Sequence, residues 1–199
     1  ADSFNLCGAL EFSEKLSKVG THPIIGTQIN LKGYNVIGKV TLYAKTELGY
    51  KNLTKLSSSS YLKSNEIEEP ACSINDLLDN HNDLILLTGG YRDFFGKLFY
   101  SNKIKNFNEL INLLKKSFKN RIYFEIQRHN EINEKNFENH ILNASKDLDI
   151  PLIATQEVFY IDKEMYEAHD ALTCIGEKRF VDDKNRFKYS NQHYLKKNE

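Results

Sequence analysis

Apolar residues along the chain switch repeatedly between helical and strand spacing. Leu6, Leu10, Phe12 and Leu16 recur at helical intervals, predicting a first helix capped by Asn5, running through Lys18 and stopped by Gly20. His22 to Ile29 and Asn35 to Ala44 read as strands, with Lys32-Gly33-Tyr34 as a turn short enough for an antiparallel pair. Leu48, Leu53, Leu56 and Leu62 set a helix from Glu47 to Leu62, which either contains the serine run Ser57 to Ser60 or ends at it. A polar connection, Lys63 to Pro70, leads to Ser73, the expected cap of a short helix Ile74 to Asn80. A strand Leu84 to Thr88 ending in Gly89-Gly90, helices Phe94 to Tyr100 and Asn108 to Phe118, a strand Ile122 to Gln127 and a helix Glu134 to Leu148 complete the alternation.

The last of these helices delivers the chain into Ile150 to Gly176. The apolar run at its start suits a buried parallel strand, and an amphipathic helix follows the turn Ile161-Asp162-Lys163. Period-2 alternation places Ile153, Thr155, Glu157 and Phe159 on one face, so Glu157 stands where a parallel strand ends. That is where α/β folds place their chemistry. Strands alternating with helices predict an α/β domain with a mainly parallel sheet or barrel over residues 1–176, and 177–199 read as a polar, irregular tail.

Composition narrows the function classes. The 199 residues are 40% hydrophobic, enough for a core, and 27 basic residues balance 27 acidic ones. That balance argues against a nucleic-acid surface spread over the chain. No apolar run is long enough to span a bilayer, which argues against a membrane partner. Cys7, Cys72 and Cys174 are odd in number and far apart, which suits a reducing cytoplasm better than a disulfide framework.

Strong short motifs for phosphate loops, nucleophile elbows or zinc helices are absent. Gly89-Gly90 after a strand fits a tight turn, and less readily an anion-binding loop. None of His22, His81, His129, His140, His169 and His193 has a ligand partner two residues away on a strand. His169, beside the stripe Met165, Ala168, Leu172 and Ile175, reads as a structural histidine. Arg128-His129, just after a strand, is better placed for a ligand.

Several segments, in order, resemble the PHP (polymerase and histidinol phosphatase) domain of bacterial DNA polymerase III alpha subunits. They are Asp2 to Phe12, His22 to Gly26, Leu42 to Lys45 with Gly49 to Leu53, Phe124 to His129, Ala154 to Tyr160, and Glu167 to Leu172. The resemblance implies an incomplete, distorted TIM-like β/α barrel, with the family's opening strand expected before Ala1 and the polymerase module after Glu199. A barrel lacking a strand is expected to be poorly soluble or marginally stable alone.

The resemblance also implies a degenerate metal site. Asp2 and Glu157 stand at acidic positions of the family's cluster as vestigial candidates. Ser3, Gln28, Lys39, Gly90 and Phe159 stand where other members carry ligands. The expected function is therefore a non-catalytic scaffold and docking module, with no catalytic residue and no cofactor in this chain. The Mg²⁺ of DNA synthesis belongs to the palm of the longer family members. The expected partners are the rest of the alpha subunit and the proofreading exonuclease subunit. The alternative is a stand-alone, metal-dependent phosphoesterase.

Overall fold

The structure, a computed structural model, describes residues 1–64 and 69–197. Residues 65–68 of the predicted connection and 198–199 of the predicted tail lie outside the described residues. In chain order the elements are β1 (Asp2–Ser3), α1 (Ala9–Lys18), β2 (Gly26–Gly33), β3 (Val36–Ala44), α2 (Glu47–Leu62), β4 (Cys72–Ser73) and α3 (Ile74–Asp79). There follow β5 (Leu84–Leu87), α4 (Phe94–Tyr100), α5 (Ile104–Phe118), β6 (Ile122–Ile126), α6 (Glu134–Leu148), β7 (Leu152–Ala154) and α7 (Tyr166–Glu177).

The strands form one sheet in the order β1-β2-β3-β5-β6-β7, with β4 beside β2. β1 and β4 run parallel to β2, and β6 runs parallel to β5 and β7, while β3 is antiparallel to both β2 and β5. The sheet does not close, so the mixed α/β architecture is an incomplete barrel with β1 and β7 at its ends.

The core lies between the middle strands and helices α2, α4, α5 and α6. Leu31, Val40, Leu42, Leu86 and Phe124 of the sheet meet Leu53, Leu56, Phe95, Phe107, Leu110, Leu114 and Ile141 of the helices. Phe95 packs edge-on to Phe107 with centroids 5.5 Å apart, and Phe107 stacks on Phe124 at 6.4 Å. α4 approaches β3 unusually closely at Gly38. A Cβ there would lie 2.6 Å from the Phe94 backbone, closer than any side chain tolerates.

Several boundaries differ from the sequence expectation. The first helix begins at Ala9, because the Asn5 carboxamide accepts the Cys7 N–H at 2.9 Å and closes a local turn instead of capping. The first long strand begins at Gly26, and the hairpin turns on Tyr34 and Asn35, both left-handed with φ of 53° and 55°, a pattern suited to a two-residue loop. The helix predicted from Asn108 starts at Ile104. Serines 57–60 lie inside α2, and Ser73 forms a full capping box with Asp76.

The largest correction concerns Ile150 onward. β7 is only three residues long and exposed throughout, not buried, because among the described strands none pairs with its outer edge. Glu157 and Phe159 lie beyond its end, so strand alternation does not place them.

Candidate functional site

β5, β6 and β7 are parallel, so their C-terminal ends gather on one side of the sheet. β3 runs the other way and pairs Thr41 with Leu87, which carries Lys39 past the end of β5. A cleft of about 410 Å³ opens there, its wall including Lys39, Asp93, Gln127, His129, Glu157 and Tyr189. This is the end at which β/α barrels build their active sites.

A lysine holds the centre of the cleft. Lys39 Nζ donates to Glu157 Oε1 at 2.7 Å and lies 3.7 Å from Asp93 Oδ1. Burial opposes the ammonium charge, but Asp93 and Glu157 outweigh it and hold the Lys39 pKa above the ordinary lysine value. Burial pushes Asp93 up to about 6, against the pull of Lys39 and of the Gly90 N–H.

The two glycines after β5 serve the protein's own carboxylates. Gly89, with φ of 83°, turns its N–H onto Glu125 Oε2 at 2.6 Å, and the Gly90 N–H meets Asp93 Oδ2 at 2.7 Å. Both predicted roles thus coincide, since the tight turn binds an anion that the chain itself supplies. Thr155 donates to Glu125 Oε1 at 2.6 Å, and burial raises the Glu125 pKa despite these bonds.

His129 stands beside this group without pointing a free nitrogen into it. Its Nε2 accepts the Glu157 N–H at 3.3 Å, and its Nδ1 lies 3.2 Å from Glu134 Oε1. Glu134 also receives the His129 N–H at 2.7 Å. Burial first, then the neighbouring His193, lowers the His129 pKa. Residues from the tail complete the wall. The His193 ring stacks on His129 at 4.2 Å and on Phe159 at 4.9 Å, while Tyr189 and Phe187 lie over the Arg92 guanidinium.

Of the two vestigial candidates, Glu157 lies in this cleft and Asp2 does not. Asp2, in β1, lines a separate groove with Leu6, Gly8, Phe12 and Ile25. Gln28 accepts a hydrogen bond from Ser3 Oγ at 3.0 Å, and Phe159 stacks on His169 at 5.1 Å. Among the described residues no three His, Cys, Asp or Glu side chains are arranged to hold a metal ion. The donor set does not fit the metal cluster of other family members, because the Lys39 ammonium sits between the Asp93 and Glu157 carboxylates that a cation would need.

Asp93, Glu125, Glu131 and Glu134 escaped the sequence reading as site residues, and His193 entered it only as one of six histidines without a ligand partner two residues away. Glu125 alone carried a signal, as a carboxylate inside the apolar strand IYFEI. Asp93 and Glu131 reach the site from loops, Glu134 from the first position of α6 and His193 from the tail, places whose mutual spacing carries no period. His169, read as structural, is half-buried at the α7 edge between Phe159 and Tyr160.

Comparison with known proteins bears on the same residues. A model of the PHP domain matches residues 1–129. The chain is 34% identical over 204 residues to the DNA polymerase III subunit alpha of Caulobacter vibrioides, covering 98% of this chain and 18% of that protein. It is 31% identical over 199 residues to the corresponding Vibrio cholerae protein and 33% identical over 210 residues to that of Borreliella burgdorferi, covering 17% and 18% of those proteins. The chain therefore spans less than a fifth of the length of these relatives. The cleft at the strand ends, the open β/α barrel and the family match converge, and the chain belongs to the PHP domain family.

Proposed function

We propose that the chain is the PHP module of a DNA polymerase III alpha subunit, acting as a non-catalytic scaffold and docking surface. The observation that carries this reading is Lys39, whose ammonium lies 2.7 Å from Glu157 and 3.7 Å from Asp93. A fixed internal cation neutralises the carboxylates permanently, repels a metal ion and activates no water. The cleft is held together by this pairing rather than prepared for hydrolysis. DNA synthesis, with its Mg²⁺, then belongs to the remainder of the longer protein. The rest of the alpha subunit and the proofreading exonuclease subunit are the partners this reading assigns. The balance of 27 basic and 27 acidic residues favours protein contact over direct nucleic-acid contact.

Metal analysis of the purified chain, combined with a phosphodiester hydrolysis assay, tests the reading. Neither stoichiometric metal nor hydrolysis is expected. Bound zinc, manganese or iron together with hydrolysis would overturn it in favour of a stand-alone phosphoesterase. In the full-length alpha subunit, Glu157→Ala is expected to leave primer extension intact.

A further inference from the structure

Residues Arg186 to Leu195 cross the mouth of the cleft, yet none of them belongs to the apolar core. Polar contacts and ring stacking on His129, Phe159 and Arg92 hold them instead. The Arg186 guanidinium meets both Asp170 oxygens at 2.6 Å, with the two side chains 5% and 8% exposed. Gln156 Nε2 donates to the carbonyls of Gln192 and Tyr194 at 2.7 and 2.9 Å. The Phe159 N–H donates to His193 O at 2.9 Å, and the Leu195 N–H to Tyr160 O at 3.0 Å. Segments held outside the core open at lower free energy than the core itself.

One contact under the segment works against closure. His193 Nδ1 lies 3.1 Å from the Glu157 carbonyl, and its Nε2 faces Glu131 Oε1 at 3.7 Å, beyond hydrogen-bond length. Both atoms are buried and without a hydrogen-bond partner among the described residues. The other Glu131 oxygen is taken by Tyr91 and Arg92. Two sealed polar atoms without hydrogen bonds are unfavourable, and lifting the segment would let water reach both.

We propose that Arg186 to Leu195 is a strap that lifts from the cleft as one unit, held shut chiefly by the Asp170–Arg186 pair and biased toward opening by the buried, unpartnered His193 Nε2 and Glu131 Oε1. Lifting it uncovers the Lys39–Glu157–Asp93 group, a step that goes beyond the scaffold reading and stands whether or not that reading holds.

Two substitutions with opposite expected signs test the strap in the whole chain. Asp170→Asn removes the clamp. Amide hydrogen exchange at Phe159 and Leu195 should then rise together by about tenfold, along with acylation of Lys39, while the β3 amides stay protected. Glu131→Gln sets an amide, both donor and acceptor, within reach of His193 Nε2, and the same amides should exchange more slowly than in the unaltered chain. The proposal is overturned if Phe159 and Leu195 exchange independently of Lys39 labelling, if they speed up only together with β3, or if Glu131→Gln fails to slow them.

Discussion

Lys39 lies in the middle of a strand, and its position there decides the chemistry of the cleft. Removing it leaves Glu157 without its closest cation and Asp93 without a neighbouring one. Lys39→Ala is expected to destabilise the chain by about 2 kcal/mol, between the values for exposed and fully buried pairs, as read by urea unfolding. Asp93 carries the opposite liability, since burial lifts its pKa to about 6 in the fold. A carboxyl whose folded pKa lies above its unfolded value binds its proton more readily when folded, so this group favours the fold increasingly as pH falls from about 6 to about 4. Asp93→Asn keeps an acceptor for the Gly90 N–H but does not titrate. Its stability relative to the unaltered chain should therefore decline across that window, and unfolding curves at several pH values would show it.

At the scale of elements, local rules succeed where local contacts decide. The capping box at Ser73 was legible because Ser73 and Asp76 are three residues apart, and Ser73→Ala should cost about 1 kcal/mol in chemical denaturation. Long amphipathic helices such as α2 and α6 follow their apolar period to the residue. Gly38 has a role that no local rule shows, since only the approach of the Phe94 backbone explains it. Gly38→Ala is expected to cost about 1–3 kcal/mol through overpacking, visible as a lower melting temperature. α7 reverses its sequence reading. Leu172 and Ile175 of its apolar stripe are 64% and 73% exposed, while Asp170 and Cys174 turn inward. Periodicity finds such a stripe but cannot say which side the protein occupies.

Across the whole molecule, two properties follow from what the open sheet leaves uncovered and what the helices enclose. Burial lowers the pKa of His129, His140 and His169, and the charge of His193 adds to the effect on the first and last. Histidines depressed in the fold take up protons more readily when unfolded, so they lower stability as pH falls from about 6.5 through their folded values. His140 packs between Phe99 and Phe107 at 4.7 and 4.9 Å, so His140→Leu should lose less stability than the unaltered chain between neutral and mildly acid solution. This loss runs opposite to the contribution of Asp93, and the two variants separate them. Exposed Leu10, Val19, Leu152, Leu172 and Ile175 lie on β7 and on or next to the first and last helices. The purified chain is therefore expected to self-associate with rising concentration in sedimentation, and Leu172→Glu with Ile175→Lys should reduce that association.

Taken by itself, the sequence determined the order of the longer helices and strands, though not the two-residue β1 and β4, together with the hairpin, the Ser73 cap and membership of a β/α family. Each of these rests on contacts between near neighbours or on motifs kept in order along the chain. Through the family resemblance it also marked Lys39 and Phe159 as standing where other members carry ligands. Only the tertiary structure decided that Lys39 reaches Glu157 from 118 positions away, that the Gly89 and Gly90 N–H groups grip Glu125 and Asp93, and that the tail returns over the cleft. Those contacts join strand ends and loops with no shared period, so nothing short of the folded sheet brings them together.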